Sequence, residues 1–141
     1  MSIVRILVVE DIKYWREFVS SMLRKEPSFE IICEAVDGAE AVVTAEKLKP
    51  TVVLLDIGLP KMNGIEAGKW IGKLVPETKV VFFSEEHDMD IVLAALKIGA
   101  SGYVLKSDAT HDLIAAIHAA VKGDKFVSRT VASNLPTDFL P

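Results

Sequence analysis

Residues 52–66 read VVLLDIGLPKMNGIE, and this stretch decides the fold. Val52 to Leu55 is a continuous apolar, partly β-branched run with no polar alternation, the pattern of a strand covered on both faces. Asp56 ends the run, and Gly58, Pro60, Asn63 and Gly64 then supply turn-forming residues. Beyond them a helical period sets in. Its only polar stripe is Glu66, Lys69 and Lys73, which predicts a heavily buried helix.

The same alternation recurs outward in both directions. Ile3 to Val9, Ile31 to Ala35, Val80 to Phe83 and Gly102 to Leu105 are further short apolar runs of strand length. After the first run, Trp15, Phe18, Val19, Met22 and Leu23 fall on one face of a helix that Pro27 stops. Ala41, Ala45 and Leu48 mark a second helix, ended at Lys49-Pro50. Met89, Val92, Leu93 and Leu96 mark a fourth, ended by Gly99. Leu113, Ala116, Ile117, Ala120 and Val121 mark a fifth, ended by Gly123. Strict strand–helix alternation requires a parallel sheet with right-handed crossovers. The expectation is a flavodoxin-like, doubly wound (βα)5 fold with five strands in the order 2-1-3-4-5.

Composition narrows the rest. The chain has 141 residues, half of them apolar and 26% charged, which fits one folded domain. Sixteen basic against twenty acidic residues give a net charge of -4, the wrong sign for direct binding to nucleic acid through phosphate neutralisation. Cys33 is the one cysteine, so no internal disulfide can form. Neither a signal-peptide core nor an apolar run of about 18 residues is present, so no membrane association is expected and the compartment expected is the cytoplasm.

In a doubly wound sheet, ligands bind at the carboxyl ends of the strands beside the topological switch point. Strand one runs into Glu10-Asp11 and strand three into Asp56, so three carboxylates converge there. Like charges packed together raise one another's pKa unless a cation joins them, and a hard divalent ion such as Mg2+ is the natural one. Strand four ends in Ser84 and strand five in Leu105-Lys106, bringing a hydroxyl and an ammonium to the same edge. Carboxylates, metal, hydroxyl and ammonium together suit a phosphoryl group. Taken singly, the acids have ordinary explanations as helix-capping or turn residues, Ser84 as a cap and Lys106 as a loop lysine. Their coincidence on one sheet edge favours chemistry.

The segments LVVED, VVLLDIGLPKMNGIE, VVFFS and GASGYVLK, at these spacings, resemble the receiver domain of two-component response regulators over residues 3 to about 121. The resemblance implies that Asp56 accepts a phosphoryl group from a phosphohistidine of a sensor histidine kinase or phosphotransfer protein. It implies that Glu10, Asp11, Asp56 and the backbone carbonyl of Gly58 hold Mg2+, and that Ser84 and Lys106 contact the phosphoryl oxygens. Tyr103 matches the family's switch aromatic, expected to move inward as Ser84 moves toward the phosphoryl group. The chain is then a phosphoacceptor that promotes its own phosphotransfer and dephosphorylation, not an enzyme acting on other substrates. The surface expected to switch is helix four, strand five and helix five. The sequence departs from the family at Glu85, where a small residue commonly follows the strand-four hydroxyl.

Residues 1–122 are read as this receiver and 123–141 as a linker-like tail. Gly123, Phe126, Val127, Ser128, Val131 and Leu135, with GASGYVLKS, resemble the start of the linker in the NarL/FixJ subfamily, whose receivers precede a LuxR-type DNA-binding domain. The expected output is control of transcription through such a domain, absent from this chain, with homodimerisation on phosphorylation. The alternative is a stand-alone receiver that signals by protein–protein contact. A flavodoxin-type electron carrier would need a Ser/Thr/Gly-rich loop after strand one, where EDIKYW stands. An aspartyl phosphohydrolase would usually carry a second Asp where Gly58 stands.

Overall fold

The computed structural model describes residues 2–139. Its elements run β1 (Val4–Val9), α1 (Lys13–Leu23), β2 (Phe29–Ala35), α2 (Gly38–Leu48), β3 (Val52–Leu55), α3 (Gly64–Leu74), β4 (Lys79–Ser84), α4 (Met89–Lys97), β5 (Gly102–Leu105), a 3-10 turn at Lys106–Asp108, α5 (Ala109–Val121), β6 (Phe126–Val127) and α6 (Arg129–Ala132), with a last 3-10 turn at Thr137–Phe139. All strand pairings are parallel, in the order β2-β1-β3-β4-β5-β6. The first five strands take the expected doubly wound order. The expected count of five is corrected to six, because Phe126 and Val127 pair with Gly102 and Tyr103 and cover the outer edge of β5.

The inner strands carry no polar face because the sheet separates two cores, whereas the edge strand β2 leaves Glu30 and Glu34 exposed. Leu7, Val9, Val53, Leu55 and Phe82 pack with α2, α3 and α4 on one side, whereas Ile6, Val8, Val52, Leu54, Val81 and Phe83 pack with α1 and α5 on the other. Successive strand residues point to opposite faces, so each position enters one core or the other. A fully buried Leu contributes roughly 2 kcal/mol by transfer from water, and Leu7, Leu54 and Leu55 are all fully buried.

Helix starts are fixed by local chemistry. Asp37, Asn63 and Asp88 each accept a backbone N–H of the first turn, capping α2, α3 and α4. Gly99 and Gly123, just past the ends of α4 and α5, have positive φ, as helix-ending glycines often do.

Helix α3 is less buried than its apolar content predicts. Only Gly64, Ala67, Gly68 and Ile71 are buried, and Trp70 and Leu74 stand 41% and 43% exposed. Trp70 is held at the surface by its indole N–H, which donates to Glu66, and by Lys73 over its ring. The residues of the tail join the core beside α4: Val127, Val131 and Leu135 are buried there, with Ala132 and Phe139 packed against them. No helix among the described residues is long and apolar enough to cross a membrane.

Candidate functional site

Parallel strands deliver their last residues to one edge, and that edge holds the site. Glu10 follows β1, Asp56 follows β3, Ser84 ends β4 and Lys106 follows β5; all four are buried. Asp11 lies beside them with an exposed side chain, and the carboxylates of Glu10, Asp11 and Asp56 bring ligand atoms within 4.8 Å of one another. Lys106 Nζ lies 2.6 Å from Glu10 Oε1 and 3.2 Å from Asp56 Oδ2. The ammonium also sits 5.0 Å from the centre of the Trp15 ring and 5.7 Å from that of Phe83, so aromatic faces shield it from water.

The carboxylates are oriented from behind. Asp56 Oδ1 accepts the Ile57 N–H at 2.8 Å, and Glu10 Oε2 accepts the Ile12 N–H at 3.1 Å. Arg16 Nη1 donates to the backbone carbonyls of both Glu10 and Asp11 at 3.0 Å, fixing the acid pair through its main chain. Gly64 governs the approach of α3 to Asp56. A Cβ at this position would fall 1.9 Å from the Asp56 carbonyl oxygen, so only glycine lets the helix start so close.

Ser84 and Tyr103 hold the main chain of one residue from both sides. The Glu86 N–H donates to Ser84 Oγ at 3.0 Å, while Tyr103 OH donates to the Glu86 carbonyl at 2.5 Å. The Tyr103 ring is wholly buried, and burial pushes its hydroxyl up to about 12, with Ser84 beside it pulling the other way. Glu85 accepts the Trp15 indole N–H at 3.2 Å, a contact that joins α1 to the loop after β4. A cavity of about 250 Å3 opens over the site, lined by Ile12, Asp56, Ile57, Gly58, Ser84, Glu85, Glu86 and Lys106.

The electrostatics suit a hard divalent cation. Three carboxylates face one ammonium, and Glu10 Oε1, though next to Lys106, makes no aligned hydrogen bond. Burial pushes the Glu10 carboxyl up to about 7; the Lys106 ammonium beside it opposes this and the charge of Asp56 adds to it. An all-oxygen donor set, buried except at Asp11 and carrying excess negative charge, fits Mg2+. The residues available to hold it are Glu10, Asp11 and Asp56, with Gly58 lining the same cavity.

Each residue singled out from the sequence therefore lies in or against one pocket, Tyr103 through Glu86. Trp15, Arg16, Gly64 and Glu86 were not identified as site residues. Trp15 read only as part of an apolar helix face, and Gly64 only as a turn residue. The signal for Arg16 was a cation in the first turn of a helix, where the dipole disfavours positive charge, five residues after Asp11. The histidines form no site: His118 lies 3.5 Å from Glu26 and stacks on Phe29.

Comparison with known proteins agrees with this geometry. The response regulator receiver domain family matches residues 6–118. The chain is 36% identical over 136 residues to the transcriptional regulatory protein DegU of Brevibacillus brevis, covering 96% of the chain and 58% of that protein. It is 32% identical over 126 residues to the nitrate/nitrite response regulator protein NarL of Escherichia coli strain K12, covering 89% and 58% respectively. The chain thus spans under two thirds of the length of these relatives. The crystal structure of a LuxR-family two-component response regulator from Aurantimonas sp. SI85-9A1 superposes with a TM-score of 0.89 at 31% identity, covering 94% of each chain.

Proposed function

Because this chain belongs to the response regulator receiver family, we propose that Asp56 accepts a phosphoryl group from a phosphohistidine of a sensor histidine kinase or phosphotransfer protein. The observation that carries the reading is Lys106 Nζ between Asp56 and Glu10 in a buried pocket, with Ser84 at its wall. An Asp56 oxygen attacks phosphorus in line, and the phosphorus–nitrogen bond breaks with its electron pair passing to the imidazole of the donor. Lys106, 3.2 Å from Asp56 Oδ2, holds the carboxylate in place for the attack and then turns to the phosphoryl oxygens. Ser84, now an acceptor from Glu86, donates its hydroxyl to another of these oxygens. Glu10, Asp11, Asp56 and the Gly58 carbonyl would hold Mg2+, which when bound would neutralise charge on the transferring group.

Relatives that share most of this chain include the transcriptional regulatory protein DegU and the response regulator NarL, which supports an output in transcription through a LuxR-type DNA-binding domain and dimerisation on phosphorylation. The surface that switches is α4, β5 and α5, widened by the tail, since β6 occupies the free edge of β5. The test is exposure of the full chain to a small acyl or amido phosphate donor, with Mg2+ or with chelator. Label that appears only with Mg2+ and is released by hydroxylamine, the mark of an acyl phosphate, supports the reading. Label stable to hydroxylamine contradicts it.

A further inference from the structure

Ser128, between β6 and α6, is fully buried and has every polar group engaged. Its N–H donates to the Tyr103 carbonyl at 3.0 Å, and its carbonyl accepts from Val131 and Ala132 at the start of α6. Its Oγ accepts the Leu105 N–H at 3.1 Å and donates to Asp112 Oδ2 at 2.9 Å. The β5–β6 ladder ends at Tyr103 and Val127, so the serine hydroxyl supplies the next acceptor that a longer strand would have provided. One residue thereby joins β5, α5 and α6.

Both of its β5 contacts belong to the stretch that serves the phosphoryl pocket. Tyr103 reaches Glu86 with its hydroxyl, and Leu105 immediately precedes Lys106. The 3-10 turn that begins with Lys106 is tied to the tail again, since Thr130 Oγ1 donates to Asp108 Oδ2 at 3.1 Å. The end of β5 is thus held on one side by Glu10 and Asp56, through the Lys106 ammonium, and on the other by the tail, through the main chain.

We propose that Ser128 is a positioning residue for the phosphoryl site, and that docking of residues 126–135 and occupancy of that site favour each other. The proposal rests on the reading of Asp56 as phosphoacceptor. Lys106 can serve a phosphoryl oxygen only from a fixed main-chain position, and Ser128 helps to fix it. Two sites that bias one element are coupled reciprocally: whatever factor the tail adds to ligand affinity, the ligand adds to tail docking.

The test uses the full chain with Mg2+ and beryllofluoride, a phosphoryl analogue, in two measurements. Titration followed by Trp15 fluorescence is expected to show affinity about fivefold weaker in Ser128→Ala than in wild type. Ser133→Ala, whose hydroxyl is exposed and donates only to the Thr130 carbonyl, is expected to match wild type. Amide hydrogen exchange across residues 126–135 of wild type is expected to slow about fivefold on loading. A merely structural serine would lower the melting temperature of Ser128→Ala and leave both readouts unmoved. If Ser128→Ala does not fold, the exchange measurement on wild type decides. Wild type that binds the analogue with no change in tail exchange overturns the coupling and leaves the phosphoacceptor reading standing; wild type that fails to bind overturns both.

Discussion

Lys106 and Glu10 form an ion pair of 2.6 Å with side chains only 3% and 2% exposed, and the same ammonium reaches Asp56. A pair this buried pays a large desolvation cost, so it marks a site shaped by chemistry more than by stability. Removing one member strands the others. Lys106→Met is therefore expected to lower the stability of the chelator-treated protein by about 3 kcal/mol, with Mg2+ restoring part of the loss. Urea unfolding with and without Mg2+ measures both quantities. Equal stability of variant and wild type in chelator would contradict the assigned charge balance.

The two acids after β1 differ in their engagement. Glu10 is committed to Lys106 and the Ile12 N–H, whereas the Asp11 side chain is exposed and free to turn to a cation. Asp11→Asn is expected to weaken Mg2+ binding at least about tenfold and Glu10→Gln by less, because direct ligation is the larger contribution. Metal titration followed by Trp15 fluorescence ranks them, and the reverse order would mean that the coordination roles are exchanged.

Gly64 tests how closely α3 must approach. With its added methyl 1.9 Å from the Asp56 carbonyl, Gly64→Ala must push the helix or the acceptor loop aside. The expected cost is roughly 3 kcal/mol of stability together with weaker Mg2+ binding. Gly72→Ala, where a Cβ meets nothing within 4 Å inside α3, is the control, expected to raise stability by up to about 1 kcal/mol and leave Mg2+ binding unchanged. Similar behaviour of the two variants would show that the close approach has no consequence.

The inner strands were legible because both faces of the sheet are covered there, so β1, β3 and β4 are apolar along most of their length and β-branched residues recur. The convergence of Glu10, Asp56, Ser84 and Lys106 was legible for the same topological reason: parallel strands all end on one edge. Other features were not. β6 is two residues long, too short for any period, and it exists because Phe126 and Val127 find an open edge on β5. The exposure of Trp70 was hidden because an apolar count does not say which side of a helix meets the sheet, and its partners Glu66 and Lys73 looked like a separate polar stripe. Arg16 and Gly64 act through main-chain atoms, which leave no mark in side-chain chemistry.

Tyr103 gives the fold a pH signature. Its hydroxyl is pushed up to about 12 by burial, above the ordinary value of 10.0, so the folded chain holds this proton more tightly than the unfolded one. The resulting stability is complete below the unfolded value and is lost as pH rises through the folded value. Relative to Tyr103→Phe, wild type is therefore expected to lose roughly 3 kcal/mol across that interval. The lost hydrogen bond to Glu86 offsets the variant by a constant of about 1 kcal/mol, leaving the slope as the readout. Parallel curves for the two proteins would contradict the assignment.

The central claim is that Asp56 is the atom-level acceptor in a pocket that Mg2+ and Lys106 make reactive. Intact-mass measurement of wild type and Asp56→Asn, each treated with a small acyl phosphate donor and Mg2+, tests it most directly. The account predicts that wild type gains the mass of one phosphoryl group and that Asp56→Asn, folded by circular dichroism, gains none. Equal gain in both proteins, or none in wild type, would contradict it.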